Sequence, residues 1–437
     1  MKAFVAMPRP NKLAPLFIAI ALIFSPQAES VTASTTTADW LRVDAGITHT
    51  CAIKTNNSLW CWGDNSDGQI GNGDPQGQMC IGGAQANCRD KTKKLWVEVS
   101  AGNSFTCAIE KTTKKLFCWG KNSYGELGHA TSNTPVEVTG GGQWNKVVAG
   151  SGSTCAIKID QSLWCWGRDD RGQLGDSASF TGKSVPTKVS ATGSDGNGKV
   201  IAIATKWIDV DVEEKQACGV GSNFVMYCWG QWGWVGLQGS NALNGTPARV
   251  MSGDISFFSD WSQVATGRYH VCGIRSGGQL YCFGAGTAGQ IGYGDGLDKK
   301  YPVRIMPTKT WTGIDLGLDY SCAIRSDNQL WCWGDNYFGQ PGQFCGSEGV
   351  SSGPRMCDTS NQAYPSPVRE QTMTTGWTAT MDAGGFHSCV IKSSGRLYCW
   401  GKDMQAQLGF RSSICLYDGS QHGCFLYSPP YRQVENQ

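Results

Sequence analysis

The sequence predicts an all-β fold of seven tandem hairpin units, the pattern of a β-propeller. Three observations predict it. A Trp opens each of seven units, at Trp40, Trp96, Trp144, Trp207, Trp261, Trp311 and Trp377. Two cysteines follow in every unit, ten residues apart in six units and eleven in the second. Gly is abundant at 58 residues and aromatics make up 11%, which suits short strands joined by tight turns rather than helices. The Gly residues show no G-X-Y period, which excludes collagen. A chain of 437 residues is long for one ordinary core, yet propellers reach this length as a single domain.

Residues 1–33 read as a signal peptide and short leader, and residues 34–437 as the repeat domain. Lys2, Arg9 and Lys12 precede an apolar run from Leu13 to Ser25. Small residues then offer cleavage after Ser30 or after Ala33, with retention as a membrane anchor the alternative. No later stretch is apolar enough to span a bilayer, so no membrane span is expected in the mature chain. The formal charge is +2, and removing this leader leaves a neutral chain. Neutrality argues against a nucleic-acid partner and gives no reason to expect attraction to anionic membranes. The short cluster Lys91-Thr92-Lys93-Lys94 reads as a solvated loop.

Inside each unit the residues specify a hairpin. In the first unit a polar turn, Thr55 to Ser58, lies between Cys51 and Cys61. Folding about that turn sets Cys51 opposite Cys61, Ala52 opposite Trp60 and Ile53 opposite Leu59. Side chains alternate along a strand. One face therefore carries Cys51, Ile53, Leu59 and Cys61, and the other Ala52, Trp60 and Trp62. The small residue recurs as Ala, Gly or Val in every unit, always facing an aromatic: Trp60, Phe117, Trp164, Tyr227, Tyr281, Trp331 or Tyr398. A ring over a small residue is a packing device. Because every unit repeats it, packing is the better reading than a sugar-binding ladder.

Twenty cysteines form an even set with no C-x-x-C, and no His shares their spacing, so disulfides are expected rather than a metal site. Opposed residues of an antiparallel pair lie within disulfide reach. The hairpin pairs are Cys51 with Cys61, Cys107 with Cys118, Cys155 with Cys165, Cys218 with Cys228, Cys272 with Cys282, Cys322 with Cys332 and Cys389 with Cys399. The other six fall as Cys80 with Cys88, Cys345 with Cys357 and Cys415 with Cys424, each pair inside one inter-repeat loop. Ten local bridges fit an oxidising compartment, and with the leader they place the protein in a secreted or periplasmic setting.

The run Cys51-Ala52-Ile53, Leu59-Trp60-Cys61-Trp62-Gly63-Asp64-Asn65 and Gly68-Gln69-Ile70-Gly71 resembles the RCC1 repeat family, above all its Cys-containing secreted versions. The sixth unit repeats it from Cys322 to Asn336. The resemblance runs from Trp40 onward and weakens in the fourth unit, which lacks the Gly-Gln-Leu-Gly turn. It implies a closed seven-bladed propeller. Most units end in a Pro-x-x-Val-like strand, as at Pro135 to Val138, and a last one spans Pro430 to Val434. Pairing that strand with the first repeat is expected to close the ring and hide both edges.

The family's founding member is a nuclear exchange factor for a GTPase. A secreted, disulfide-rich chain makes that the least favoured role. A secreted relative inhibits β-lactamases through its loops, so an enzyme inhibitor is one alternative, and an uncharacterised propeller enzyme is another. The primary expectation is a monomeric, non-catalytic binding propeller without cofactor, directed at a protein or glycan. His49, His270 and His387 all stand two residues before a hairpin Cys, which marks a repeat feature rather than a catalytic set. Asp64 to Gly68 lacks the terminal Glu of a calcium loop and reads as a turn. Three loops carry their own Cys pair: 72–95, 343–376 and 410–429. They belong to units one, six and seven, which a closed ring makes neighbours. Met79, Phe344, Tyr364, Tyr417, Phe425 and Tyr427 on these loops are the expected anchors.

Overall fold

A computed structural model describes residues 40–433 except 75–76, 78, 81–87, 177–179, 232–242, 254–255, 343–362, 370–374, 410–415, 418–421 and 424–431. The signal segment lies outside the described residues. The repeat region from Ala38 onward is one unit, all-β, with seven blades. Each blade starts at its Trp. The inner strands are Trp40–Ala45, Trp96–Ala101, Trp144–Ala149, Trp207–Glu213, Trp261–Thr266, Trp311–Leu316 and Trp377–Ala383. The second and third strands form the hairpin, as in His49–Lys54 with Leu59–Gly63. An outer strand follows, such as Ser132–Glu137 in the second blade.

The hairpin register is the one the spacing predicts: Cys51 opposite Cys61, Ala52 opposite Trp60 and Ile53 opposite Leu59. All seven hairpin disulfides are present, with Cα separations of 4.0 to 4.2 Å, and so is Cys80–Cys88. Among the described residues no cysteine is free. Cys345, Cys357, Cys415 and Cys424 lie outside them.

Small-against-large pairing builds each blade's core. Trp40 of the inner strand meets Trp62 of the third edge-on, ring centroids 5.8 Å apart, with buried Ala52 between their strands. In the fifth blade the small residue is Gly273, where a Cβ would come within 2.9 Å of the Trp261 ring. The Gly-Gln-Leu-Gly turn then joins blades. The Gln69 carbonyl accepts from the Trp119 indole at 2.9 Å and from the Thr106 hydroxyl at 2.8 Å, both in the next blade. Gly71 lies against that same indole, where a Cβ would fall 2.5 Å from Nε1, and its φ is +76°. Only Gly tolerates both the contact and the backbone.

Two expectations need correction. The C-terminal strand Arg432–Gln433 pairs with Cys399 and Tyr398 of its own blade, not with the first repeat. Every blade is therefore one continuous stretch of chain. A return along the adjacent strand closes a short loop, whereas pairing across nearly the whole chain pays a larger closure entropy. The ring closes instead through bonds between the seventh and first blades: Trp40 N–H to Gly395 O at 3.2 Å and Gly385 N–H to Gly46 O at 3.2 Å. The blades also are not uniformly four-stranded. Among the described residues the first has three strands, with bridges from Trp60 to Arg89 and from Gly63 to Cys80 along its outer edge. The fourth has six, because a hairpin of Thr192–Ser194 and Val200–Ala202 adds to its edge, with Ser194 beside Ala248 in parallel.

Candidate partner-binding face and central channel

The third strand of each blade runs from the hairpin turn to the Gly of the Trp-Gly step, so the disk has two unlike faces. One carries the seven hairpin turns. The other carries the Gly-x-Asn turns, the loops after the inner strands and the insertions. Cys80 exchanges backbone hydrogen bonds with Gly63, both at 3.0 Å, which roots the first stapled loop on this second face. Units six, seven and one are adjacent: Asp315 accepts from Ala383 N–H and Asp382 from Ala45 N–H, each at 2.6 Å.

The expected anchors divide. Met79 is 44% exposed on the insertion face. Tyr364 opens the outer strand of the sixth blade opposite Gly334 and is half-buried against the core around Trp333, so it acts partly as packing. Tyr417 lies in a two-residue ladder, Leu416–Tyr417 with His422–Gly423. Phe344, Phe425 and Tyr427 lie outside the described residues. The same sector holds a cluster that sequence reasoning missed. Tyr337 and Phe338 stack edge-on at 4.7 Å, and Phe338 meets Phe386 at 5.5 Å. The Lys402 ammonium sits 5.0 and 4.8 Å from the rings of Phe338 and Phe386. Burial lowers its pKa. These residues occupy the variable positions of the turns, and two adjacent aromatics there were the available signal.

The recurrent histidines are buried joints between blades. His49 Nε2 lies 2.8 Å from Thr106 Oγ1, His270 Nε2 2.9 Å from Ser321 Oγ, and His387 Nε2 2.7 Å from Thr50 Oγ1. Each hydroxyl already donates to the carbonyl of Gln69, Gln290 or Gln407. A hydroxyl has one proton, so the imidazole must donate from Nε2. Each Nδ1 is then a buried acceptor without a partner. Burial pulls the pKa of His49 down to about 4 and those of His270 and His387 to about 3. Neutral, buried and locked, they are positioned as structure.

The inner strands line a channel of about 410 Å³. The fifth residue of the first, fourth and sixth inner strands is Asp44, Asp211 and Asp315, and Asp382 takes that place in the seventh. Each accepts an amide of the next blade: Asp44 from Ala101 and Asp211 from Thr266, both at 2.6 Å, beside the two bonds already given. Glu213 stands where the first three blades have Gly46, Gly102 and Gly150, and it accepts from Ser151. Burial, then neighbouring carboxylates, pushes Asp315 up to about 7, and burial pushes Glu213 up to about 7. Burial and mutual charge hold Asp44 and Asp382 well above the usual carboxylate range. Convergent carboxyls with shifted pKa values are what an active site would show. Here the four aspartates each bond the following blade, and Glu213 bonds the preceding one through Ser151.

A pH dependence follows. A carboxyl with a raised folded pKa keeps its proton where the unfolded chain has lost it, so stability falls as pH rises from about 4 to about 7. The histidines act oppositely, losing stability as pH falls below 6.5 toward 4 and 3. Asp315→Asn keeps an acceptor for Ala383 N–H but cannot ionise. Its thermal midpoint is expected to exceed that of the unaltered chain by a few degrees at alkaline pH, a gap that closes near the ordinary aspartate value of 3.8. Melting curves across this range check it; a pH-independent difference would contradict the assignment.

Together, a closed seven-bladed ring, structural histidines and one face of variable loops define a propeller scaffold suited to protein interaction. The chain belongs to the RCC1 family: models of the regulator of chromosome condensation (RCC1) repeat match residues 41–69, 96–126, 144–173, 261–290, 311–340 and 379–403, and a second such model matches 56–109, 115–157, 160–205 and 277–324. Neither model matches residues 206–260, which hold most of the irregular fourth blade. The ultraviolet-B receptor UVR8 of Arabidopsis thaliana is 26% identical over 382 residues, 86% of this chain and 79% of that protein. The human E3 ubiquitin-protein ligase HERC2 is 26% identical over 267 residues, 58% of this chain but 5% of HERC2. Among solved structures, yeast RCC1 (Prp20) bound to Kap60 superposes with a TM-score of 0.66 at 15% identity, covering 99% of this chain and 91% of that one. Human WBSCR16 gives 0.61 at 18% identity, covering 80% and 86%.

Proposed function

We propose that the protein is an extracytoplasmic, non-catalytic binding propeller that holds a protein or glycan partner on the insertion face of blades six, seven and one. The observation that carries this is coincidence of place. Three insertions, each with its own cysteine pair and the first bridged as Cys80–Cys88, arise at one position of the repeat in three adjacent blades, and the partly exposed Tyr337–Phe338–Phe386–Lys402 cluster lies in the same sector. Rigid aromatic anchors lose little entropy on binding. The relatives' described roles, a receptor and a protein captured with Kap60, also support binding.

The test replaces residues 72–88, 343–362 and 410–429 one at a time with a short turn, leaving the hairpin cysteines and the outer strand Tyr364–Arg369 intact. Affinity capture from the native extracytoplasmic milieu, quantified by mass spectrometry, is the measurement. At least one variant is expected to lose partner affinity by about tenfold or more, as for removal of a hot-spot anchor. If all three fold and retain the partner fully, the binding face is elsewhere.

A further inference from the structure

The hairpin-turn face carries a different chemistry. It is closed by backbone bonds in which each turn receives the next blade's Trp amide, from Asn57 O with Trp96 N–H at 2.8 Å round to Gly395 O with Trp40 N–H at 3.2 Å. Two repeat positions at this face are basic. The second strands of five blades end in Lys54, Lys158, Arg275, Arg325 and Lys392. The outer-edge residue paired with the third-strand aromatic is Arg89, Lys188, Arg249, Arg304 or Arg369, again in five blades. The exceptions are Glu110 and Glu137 of the second blade, Gly221 of the fourth and Gln433 of the seventh. The second blade's turn supplies Lys111, Lys114 and Lys115 instead. Arg275 pairs with Asp260 and Arg325 with Asp327, so part of this charge is offset locally.

Aromatic rings interleave with these cations. Lys54 lies 4.9 Å from the Trp60 ring, Lys158 4.4 Å from Trp164, Arg325 5.2 Å from Trp331 and Lys392 5.3 Å from Tyr398. In the five blades with the inner cation the aromatic is partly exposed; in the two without it, Phe117 and Tyr227 are buried. The acidic channel residues Asp44, Asp211, Asp315 and Asp382 lie away from this face. A chain with no net charge once its leader is removed is therefore strongly polarised.

The same face exposes apolar tips. Ile159 and Phe224 are each 51% exposed in hairpin turns, and Leu95 and Leu41 beside the opening Trp residues are each 44% exposed. Phe224 is the informative one. Its φ is +60°, in a position that other turns fill with Asn57, Lys114, Gln161, Asn328, Gly278 or Gly395. Asn and Gly adopt that conformation cheaply and a bulky aromatic does not. Phe224 thus accepts backbone strain while leaving half its surface in water, and the fold gains nothing evident in return.

We infer that the turn face docks on an anionic lipid leaflet. Phe224 and Ile159 enter the headgroup boundary, and the exposed cations of this face, Arg89, Lys111, Lys115 and Lys188, neutralise lipid phosphates. Half-exposed Trp and Tyr beside Lys and Arg suit that interface. A soluble polyanion would engage the cations but leave the apolar tips in water. The arrangement is independent of the partner proposed above, and it turns the insertion face away from the membrane.

The test is vesicle flotation of the processed chain, with phosphatidylcholine alone and with a third of phosphatidylglycerol. Retention is expected only on the anionic vesicles and should fall as salt rises. The double variant Phe224→Asn with Ile159→Asn is expected to lower retention about tenfold. Asn suits the backbone at 224, so an unchanged or higher melting temperature separates this loss from unfolding. A retained apolar N-terminal segment would bind both vesicle types alike and ignore residue 224, so it cannot produce either difference. The 410–429 replacement, which removes no residue of the basic columns or the apolar tips, should float unchanged, which separates this inference from the partner reading. Equal retention on both vesicle types, no retention at low salt, or full retention by the double variant overturns the inference. So does preferential binding of double-stranded DNA or polyuronate with vesicle retention indifferent to residue 224.

Discussion

Reduced and then returned to native conditions, the protein is expected to stay unfolded until it is reoxidised. A bridge closing a loop of about ten residues contributes about 2.5–3 kcal/mol in the chain-entropy account, and less where the hairpin would form anyway. Even at about 1 kcal/mol each, eight bridges rival the about 5–15 kcal/mol total stability of a typical domain. The hairpin cysteines are at most 2% exposed, so a mild reductant should act slowly on the folded chain and quickly in denaturant. Tryptophan fluorescence and near-ultraviolet dichroism follow the outcome, because the buried Trp rings report the blades directly. Removing one bridge, by Cys51→Ala with Cys61→Ala, is expected to cost about 2 kcal/mol in a denaturant titration. A reduced chain that regains native spectra would show that packing alone suffices.

The blades were legible in the sequence because strand alternation and paired cysteines constrain each other. Once Cys51 faces Cys61, Ala52 must face Trp60, and the structure has that register. The destination of the last strand was not legible. A Pro-x-x-Val pattern marks an outer strand but does not say which third strand receives it, and the short local return prevailed at Cys399. The long spacing before Trp207 concealed the added hairpin of Thr192–Ser194 and Val200–Ala202, whose strands of three residues leave little alternation to read.

The channel carboxyls form a column four residues after the opening Trp, five in the seventh unit. On an inner strand read alone, Asp44 looks like a solvent-facing polar position. Ring closure is what places it beside Ala101 N–H and the other carboxyls. Net charge misled for a related reason. It sums over a disk whose two faces differ, and the basic columns appear only when Lys54 and Arg89 are seen to flank one ring at 4.9 and 5.7 Å. The sequence located the three insertions on the repeat, but their specificity lies in residues that depart from it, and repeat logic cannot place those.

Trp62→Ala is expected to cost about 3–5 kcal/mol, the usual range for deleting a large buried ring, whereas Trp60→Ala, two residues away, should cost about 1–2 kcal/mol. Trp62 is fully buried and Trp60 is half-exposed. The Trp60 indole bonds Ser58 Oγ in its own turn at 2.8 Å, so its loss stays within one blade. The Trp62 indole crosses to the seventh blade and donates to Gln407 O at 2.9 Å, with Gly409 packed against the ring. Among the described residues no strand spans this boundary, so the indole is one of the links holding the first and seventh blades together. The Gln407 carbonyl keeps the Thr50 hydroxyl at 2.8 Å, so the loss is chiefly a cavity rather than an orphaned acceptor. Trp62→Phe should recover much of the stability, since Phe283 fills the equivalent place in the fifth blade and is fully buried there. Denaturant titration gives the energies, and hydrogen exchange should show the inner strand Trp40–Ala45 and the seventh blade opening first in Trp62→Ala. Equal costs at the two positions, or exchange spread evenly over all seven blades, would mean that the seam is not where the ring is weakest.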